Sequence, residues 1–129
     1  MIDQLKKYLN NTKKDWNYIT PTEFYVNYYG KNKNYVLIDL RDEKEFKKYH
    51  IKGAKNIFWL DLLNEENLKK LPKNKKIFLI CYVGHTSSQA MVLLKLLGYD
   101  VTSIKFGYGI SPVKGVPVAG WINYRYEVI

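Results

Sequence analysis

The chain has 129 residues, the size of one domain that buries about two-thirds of the surface its unfolded form exposes. Hydrophobic residues at 47% and charged residues at 26%, with no repeat, low-complexity tract or apolar span of roughly 18 residues, exclude fibrous, disordered and membrane-spanning classes. Lys and Arg outnumber Asp and Glu by 21 to 12, and the resulting +9 is spread along the chain, so the field favours small anions; no nucleic-acid motif or basic helix with stacking aromatics is present.

Met1 to Leu9 places Ile2, Leu5 and Leu9 on one side of a short helix ended by Asn10-Asn11-Thr12, within an N-terminal extension over 1–15. Met1 to Lys7 lacks the apolar run of a secretion signal, and a lone cysteine excludes an intramolecular disulfide, so a cytoplasmic setting is expected. Trp16 to Ile19 suits an edge strand. Thr20-Pro21-Thr22-Glu23 then supplies an N-cap, a first-turn proline and a capping-box glutamate for a helix to about Tyr29, stopped by Gly30. Tyr35 to Asp39 is a buried strand, and Asp42 caps a helix reaching about Tyr49. Asn56 to Phe58 is a short strand, and Asp61 to Leu71 a helix closed by Pro72. Ile77 to Ile80 has the continuous, β-branched-rich pattern of a strand buried on both faces.

Beyond Cys81, the residues Ala90, Leu93, Leu94 and Leu97 follow a helix-face spacing, with Thr86 to Ser88 as N-caps and Gly98 as the stop. Val101 to Lys105 is the last strand. Phe106-Gly107-Tyr108-Gly109 opens a Gly- and Pro-punctuated tail over 110–129 that packs on the domain. Strands alternating with helices predict an α/β fold with a mostly parallel sheet covered on both faces.

Cys81 therefore stands at a strand's carboxyl end, in a loop closed by a helix N-terminus, where open parallel sheets form sites. Backbone N–H groups of that loop, helped by Gly84 and the helix's positive end, favour an anion over the sulfur and thiolate over thiol. The two histidines and one cysteine lie too far apart in sequence for a zinc site, and no cofactor is expected.

The segment Val36 to Ile57, with Asp39-x-Arg41, Glu45-Phe46, His50-Ile51-x-Gly53-Ala54 and Asn56-Ile57, resembles the upstream signature of rhodanese domains. Phe78 to Tyr99, with Cys81-Tyr82-x-Gly84-x-Thr86-Ser87 and a Leu-Leu-x-x-Gly-Tyr ending, is similar to that family's active-site loop and following helix. The resemblance implies a five-stranded rhodanese-like fold and transfer of a sulfane sulfur through a persulfide. Cys81 matches the sulfur carrier, and Tyr82, Val83, Gly84, His85, Thr86 and Ser87 match the substrate cradle. A small anionic donor such as thiosulfate and a thiol or cyanide acceptor, small molecule or thioredoxin-like protein, are implied, with no nucleic acid or membrane partner.

Many loops of the family carry Arg or Lys beside the cysteine, whereas this one has Tyr82, Val83, His85 and Thr86. His85 is either a donor to the sulfur or a loop histidine without catalytic duty, and Tyr82 is a candidate pocket wall. Asp39 and Arg41 are supporting candidates. With Glu45 they either approach the sulfur or, as preferred here, form an ion-pair network tying strand end to helix. His50 is read as structural. The Trp usual after the family's last strand is missing, and Trp121 is the candidate to fill its place. A phosphatase or arsenate reductase of this fold needs a loop one residue longer ending in Arg, and Ser87 stands there instead. A catalytically idle binding or redox-sensing module is the other alternative.

Overall fold

Five short segments pair side by side in the computed structural model, which describes residues 1–110 and 119–129; the inner strands are continuous apolar or buried runs, while the edge strands at Tyr18–Ile19 and Lys55–Asn56 are only partly covered. They are β1 (Tyr18–Ile19), β2 (Tyr35–Asp39), β3 (Lys55–Asn56), β4 (Lys76–Ile80) and β5 (Val101–Ile104). All pairings are parallel, in the order β1-β5-β4-β2-β3. The helices are α1 (Ile2–Asn11), α2 (Pro21–Asn27), α3 (Glu43–Lys48), α4 (Glu65–Leu68) and α5 (His85–Leu96).

β4 is the central strand, with Ile77 to Ile80 at most 1% exposed, and its alternation divides two cores. Ile77, Leu79 and Cys81 pack with Ala90, Met91 and Leu94 of α5 on one face. Phe78 and Ile80 pack with Phe24 of α2, Tyr108 and Trp121 on the other. Register aligns Asp39 with Ile80, so the chain leaves β2 and β4 at the same level, at the carboxyl edge where such sheets place sites. Trp121 is fully buried against Phe24, Tyr25, Tyr29 and Tyr126; its backbone N–H donates to the Gly107 carbonyl at 2.8 Å and its indole N–H to the Glu127 carbonyl at 2.9 Å. His50 and Ile129 exchange backbone hydrogen bonds at 2.9 and 2.8 Å. Of the expected tail, residues 111–118 lie outside the described residues.

The cap motifs act as their residues predict: Glu23 N–H donates to Thr20 Oγ1, Thr20 N–H to Glu23 Oε1, and Glu45 N–H to Asp42 Oδ1. Other expectations need correction. The helix expected over Asp61 to Leu71 is a 3-10 turn, Trp59–Asp61, followed by the one-turn α4. Asn64 is extended between them and Asn67 turns its amide onto the Asp61 carbonyl, the local bonding by which asparagine breaks helices. The short strand ends at Asn56, not Phe58, whose side of the chain already enters the turn. Helix α5 starts at His85, and its buried stripe is Ser87, Ala90, Met91 and Leu94; Leu93 and Leu97 are nearly half exposed. The spacing holds but the stripe is shifted three residues toward the N-terminus, so that Ala90 and Leu94 are buried as expected while Ser87 and Met91 take the places expected of Leu93 and Leu97. Among the described residues no helix is long and apolar enough to cross a membrane.

Candidate functional site

Helix α5 has no side-chain N-cap of the usual kind. Gly84 occupies the cap position in a left-handed conformation (φ +95°), and Thr86 to Ser88 cap nothing, being already inside the helix. The acceptor is the sulfur of Cys81: Gly84 N–H donates to Sγ at 3.1 Å and Ser87 N–H at 3.4 Å. These are the N-cap and third-residue amides, the two that a capping box satisfies, so a thiolate here completes the helix end. The bond between fold and chemistry is direct, because the same orphan amides that need an acceptor supply an anion cradle.

Ser87 adds a side chain to the backbone donors. It is fully buried, its Oγ lies 3.3 Å from Sγ and 2.8 Å from Ser103 Oγ on β5. A neutral Cys81 donates its S–H to Ser87; an ionised one accepts from Ser87, whose oxygen then accepts from Ser103. Two hydroxyls thus reorient with the charge on sulfur without titrating. Cys81 itself is 1% exposed.

The loop is held from below by the turn after β5. Tyr108 N–H donates to the Cys81 carbonyl at 3.0 Å and Gly109 N–H to that of Tyr82 at 2.9 Å. Gly107 (φ +51°) passes so close that a Cβ there would sit 2.1 Å from the Cys81 carbonyl oxygen. A Cβ on Gly84 would sit 2.9 Å from Phe106 N.

Among the described residues, neither Asp39 nor Arg41 hydrogen-bonds to residues 82–87. They form a fully buried pair, Arg41 Nη2 to Asp39 Oδ2 at 2.9 Å and Nε to Oδ1 at 3.1 Å, with Nη2 also donating to the Tyr49 carbonyl. Burial opposes the Arg41 charge, yet bonding to Asp39 outweighs it and the guanidinium pKa is raised. The ring of Tyr108 lies 3.9 Å beneath the guanidinium, and its hydroxyl donates to Asp39 Oδ2 and accepts from Ile51 N–H. The pair therefore supports Cys81 through Tyr108, whose backbone amide holds the Cys81 carbonyl. Glu45 is not in this network: its carboxylate pairs with Lys48. His50 is structural, its Nδ1 2.8 Å from the Phe46 carbonyl and its ring stacked on Phe46.

Beside the loop lies a cavity of about 360 Å³ lined by Val83, Gly84 and His85 together with Trp16, Tyr18, Ser88, Lys105 and Phe106. Tyr82 and Thr86 do not line it. Tyr82 instead reaches the other way, its hydroxyl 3.3 Å from Asp42 Oδ2, with its pKa raised by burial and then by Asp42. His85 is exposed and is not among the partners of Sγ. Sequence reasoning did not single out Ser103 or Lys105, and it named Gly107 only within the glycine-rich segment after the last strand, without a place at the site. A serine inside the short, wholly buried strand Val101-Thr102-Ser103-Ile104 was the available signal for the first.

Residues 20–109 match the family model described as Rhodanese-like domain. A probable adenylyltransferase/sulfurtransferase, MoeZ, of Mycobacterium tuberculosis is 33% identical over 82 residues, 64% of this chain and 21% of its own length. A tRNA sulfurtransferase of Pyrobaculum aerophilum is 34% identical over 70 residues, 54% of this chain and 14% of its own. The chain thus spans about a fifth or less of these curated relatives. The crystal structure of a rhodanese-related protein from Thermoplasma volcanium superposes with a TM-score of 0.68 at 26% identity, covering 87% of this chain and 96% of that one.

Proposed function

The chain belongs to the rhodanese-like domain family, and from that premise we propose that it is a sulfurtransferase carrying a sulfane sulfur on Cys81, with thiosulfate or another persulfide as donor and a thiol or cyanide as acceptor. The observation that carries the reading is the set of non-titrating donors on one sulfur: Gly84 N–H, Ser87 N–H and the Ser87 hydroxyl, all within 3.4 Å. Such a set stabilises thiolate before the reaction and again after each turnover. The Cys81 thiolate attacks the outer sulfur of thiosulfate; the new S–S bond forms as the old one breaks, and sulfite leaves with the electron pair. The remaining persulfide bears the single negative charge that the thiolate brought. The relatives named as sulfurtransferases support the class and leave the donor as part of this proposal.

The phosphatase reading has no guanidinium in the loop to clamp a tetrahedral oxyanion, since Ser87 stands where that arginine would be. Mass spectrometry after incubation with thiosulfate tests the proposal. The expected result is one added sulfur on the wild-type chain, removed by cyanide, and none on Cys81→Ser. An unmodified wild-type chain, or equal sulfite release by the variant, sinks it.

A further inference from the structure

The cavity beside the loop is larger and less polar than a sulfur oxyanion or cyanide needs. At about 360 Å³ it falls in the range of sites for small organic molecules, roughly 300 to 1,000 Å³. Trp16 is 66% exposed although it is the largest apolar side chain on this side, and Phe106 is 39% exposed. Trp16 packs at 5.2 Å on Tyr18, whose hydroxyl is tied to Ser88 Oγ, so this wall is set in place. Lys105 is half-buried, with Nζ 6.0 Å from the Trp16 ring and 5.7 Å from that of Phe106, and it makes no ion pair among the described residues. A half-buried lysine with no ion-pair partner among the described residues, beside two exposed rings, complements a molecule with an apolar body and a negative end. Gly84 joins this space to the chemistry: it lines the cavity and its N–H is bonded to Sγ.

We propose that this cavity is an acceptor subsite for a small organic thiol that has an apolar or aromatic body and a carboxylate, with Trp16 packing on the body and Lys105 pairing with the carboxylate. It rests on the Cys81 persulfide reading. Once the terminal sulfur has taken a proton from solvent, the acceptor thiolate R–S⁻ attacks it. The R–S–SH bond forms as the Cys81 S–S bond breaks, and Sγ leaves as the thiolate received by Gly84 and Ser87. Charge is conserved and no external oxidant or reductant enters. A protein thiol fits less well, because the lining is a handful of side chains where a stable protein interface uses roughly 20 to 30 residues a side.

The test discharges the persulfide-loaded full chain with meta-mercaptobenzoate, benzenethiol, mercaptoacetate, cyanide or reduced thioredoxin. The lowest KM is expected for meta-mercaptobenzoate. Trp16→Ala lowers the ratio of its kcat/KM to that of cyanide about tenfold, through KM, and Trp16→Phe restores most of it. Lys105→Gln costs about fivefold for meta-mercaptobenzoate and erases its advantage over benzenethiol. A separate calorimetric titration with unreactive meta-hydroxybenzoate is expected to show binding that Trp16→Ala removes. Equal loss toward cyanide and meta-mercaptobenzoate in Trp16→Ala, no binding of the analogue, or preference for thioredoxin over every small thiol would overturn the subsite. A chain that binds the analogue but never loads sulfur from thiosulfate would instead overturn the acceptor role together with the sulfurtransferase reading.

Discussion

Replacing Gly107 by alanine puts a methyl group where the Cys81 carbonyl oxygen already is, at 2.1 Å, and 2.8 Å from its carbonyl carbon. Carbon and oxygen pack without repulsion only well beyond 3 Å, so one backbone segment must retreat by about 1 Å. Both segments are bound to each other, and the retreat strains the Tyr108 to Cys81 and Gly109 to Tyr82 hydrogen bonds. Two buried backbone bonds at roughly 0.5–1.5 kcal/mol each, and about 1–2 kcal/mol for alanine at a left-handed φ, predict a stability loss of about 2–5 kcal/mol. A 1 Å displacement of a reacting group costs about a hundredfold in rate, so sulfur loading on Cys81 should slow by that order. Urea unfolding reads the first quantity and rapid-quench mass spectrometry with thiosulfate the second. Gly53→Ala is the control: it shares a left-handed φ of +89° but has open space for its Cβ, so it should lose only the conformational part and load at the wild-type rate. Gly107→Ala loading at that same rate while folded would refute the claim that the turn after β5 positions the cysteine.

Burial, and after it the Asp39 charge, raise the Tyr108 phenol, while burial and the bond to Glu127 push Tyr29 up to about 12. Because the folded values exceed the ordinary 10.0, this stability is whole below pH 10 and drains as pH rises through 12; urea unfolding at pH 7 and 11 should show it. Tyr108→Phe should cost about 1–3 kcal/mol at pH 7 by stripping partners from Asp39 and Ile51, and should flatten the alkaline fall; an unchanged fall would assign it elsewhere. His85→Ala should slow sulfur loading less than about threefold, whereas Ser87→Ala, which removes a buried donor from a charged sulfur, should slow it about tenfold or more; the reverse order in quench kinetics would make histidine the activator. The KM for thiosulfate should rise with salt as the Debye length falls from about 10 to 3 Å, and a flat KM would show that the +9 field does not gather the donor.

Features set by neighbours along the chain were legible in the sequence. The capping box at Thr20, the cap at Asp42, the buried strands Tyr35–Asp39 and Lys76–Ile80, and a cysteine between a strand and a helix all follow from residue type and spacing within a few positions. The ion-pair network expected of Asp39, Arg41 and Glu45 holds only for the first two, which pair with each other two residues apart at a strand end, whereas Glu45 pairs with Lys48 on its own helix. What needed the tertiary structure is what distant segments bring together. Ser103, Lys105 and Gly107 reach the Cys81 loop only because β5 lies beside β4, and Trp16 only because β1 lies beside β5. Strand order is decided by which faces bury together, a property of the whole sheet that no local window contains. The frame of α5 belongs to the same class: its leucines fit the spacing, but the helix turned Ser87 and Met91 inward. A sulfur needing donors and a sheet needing close packing outweighed the hydropathy of Leu93 and Leu97, and that balance exists only once both partners are in contact.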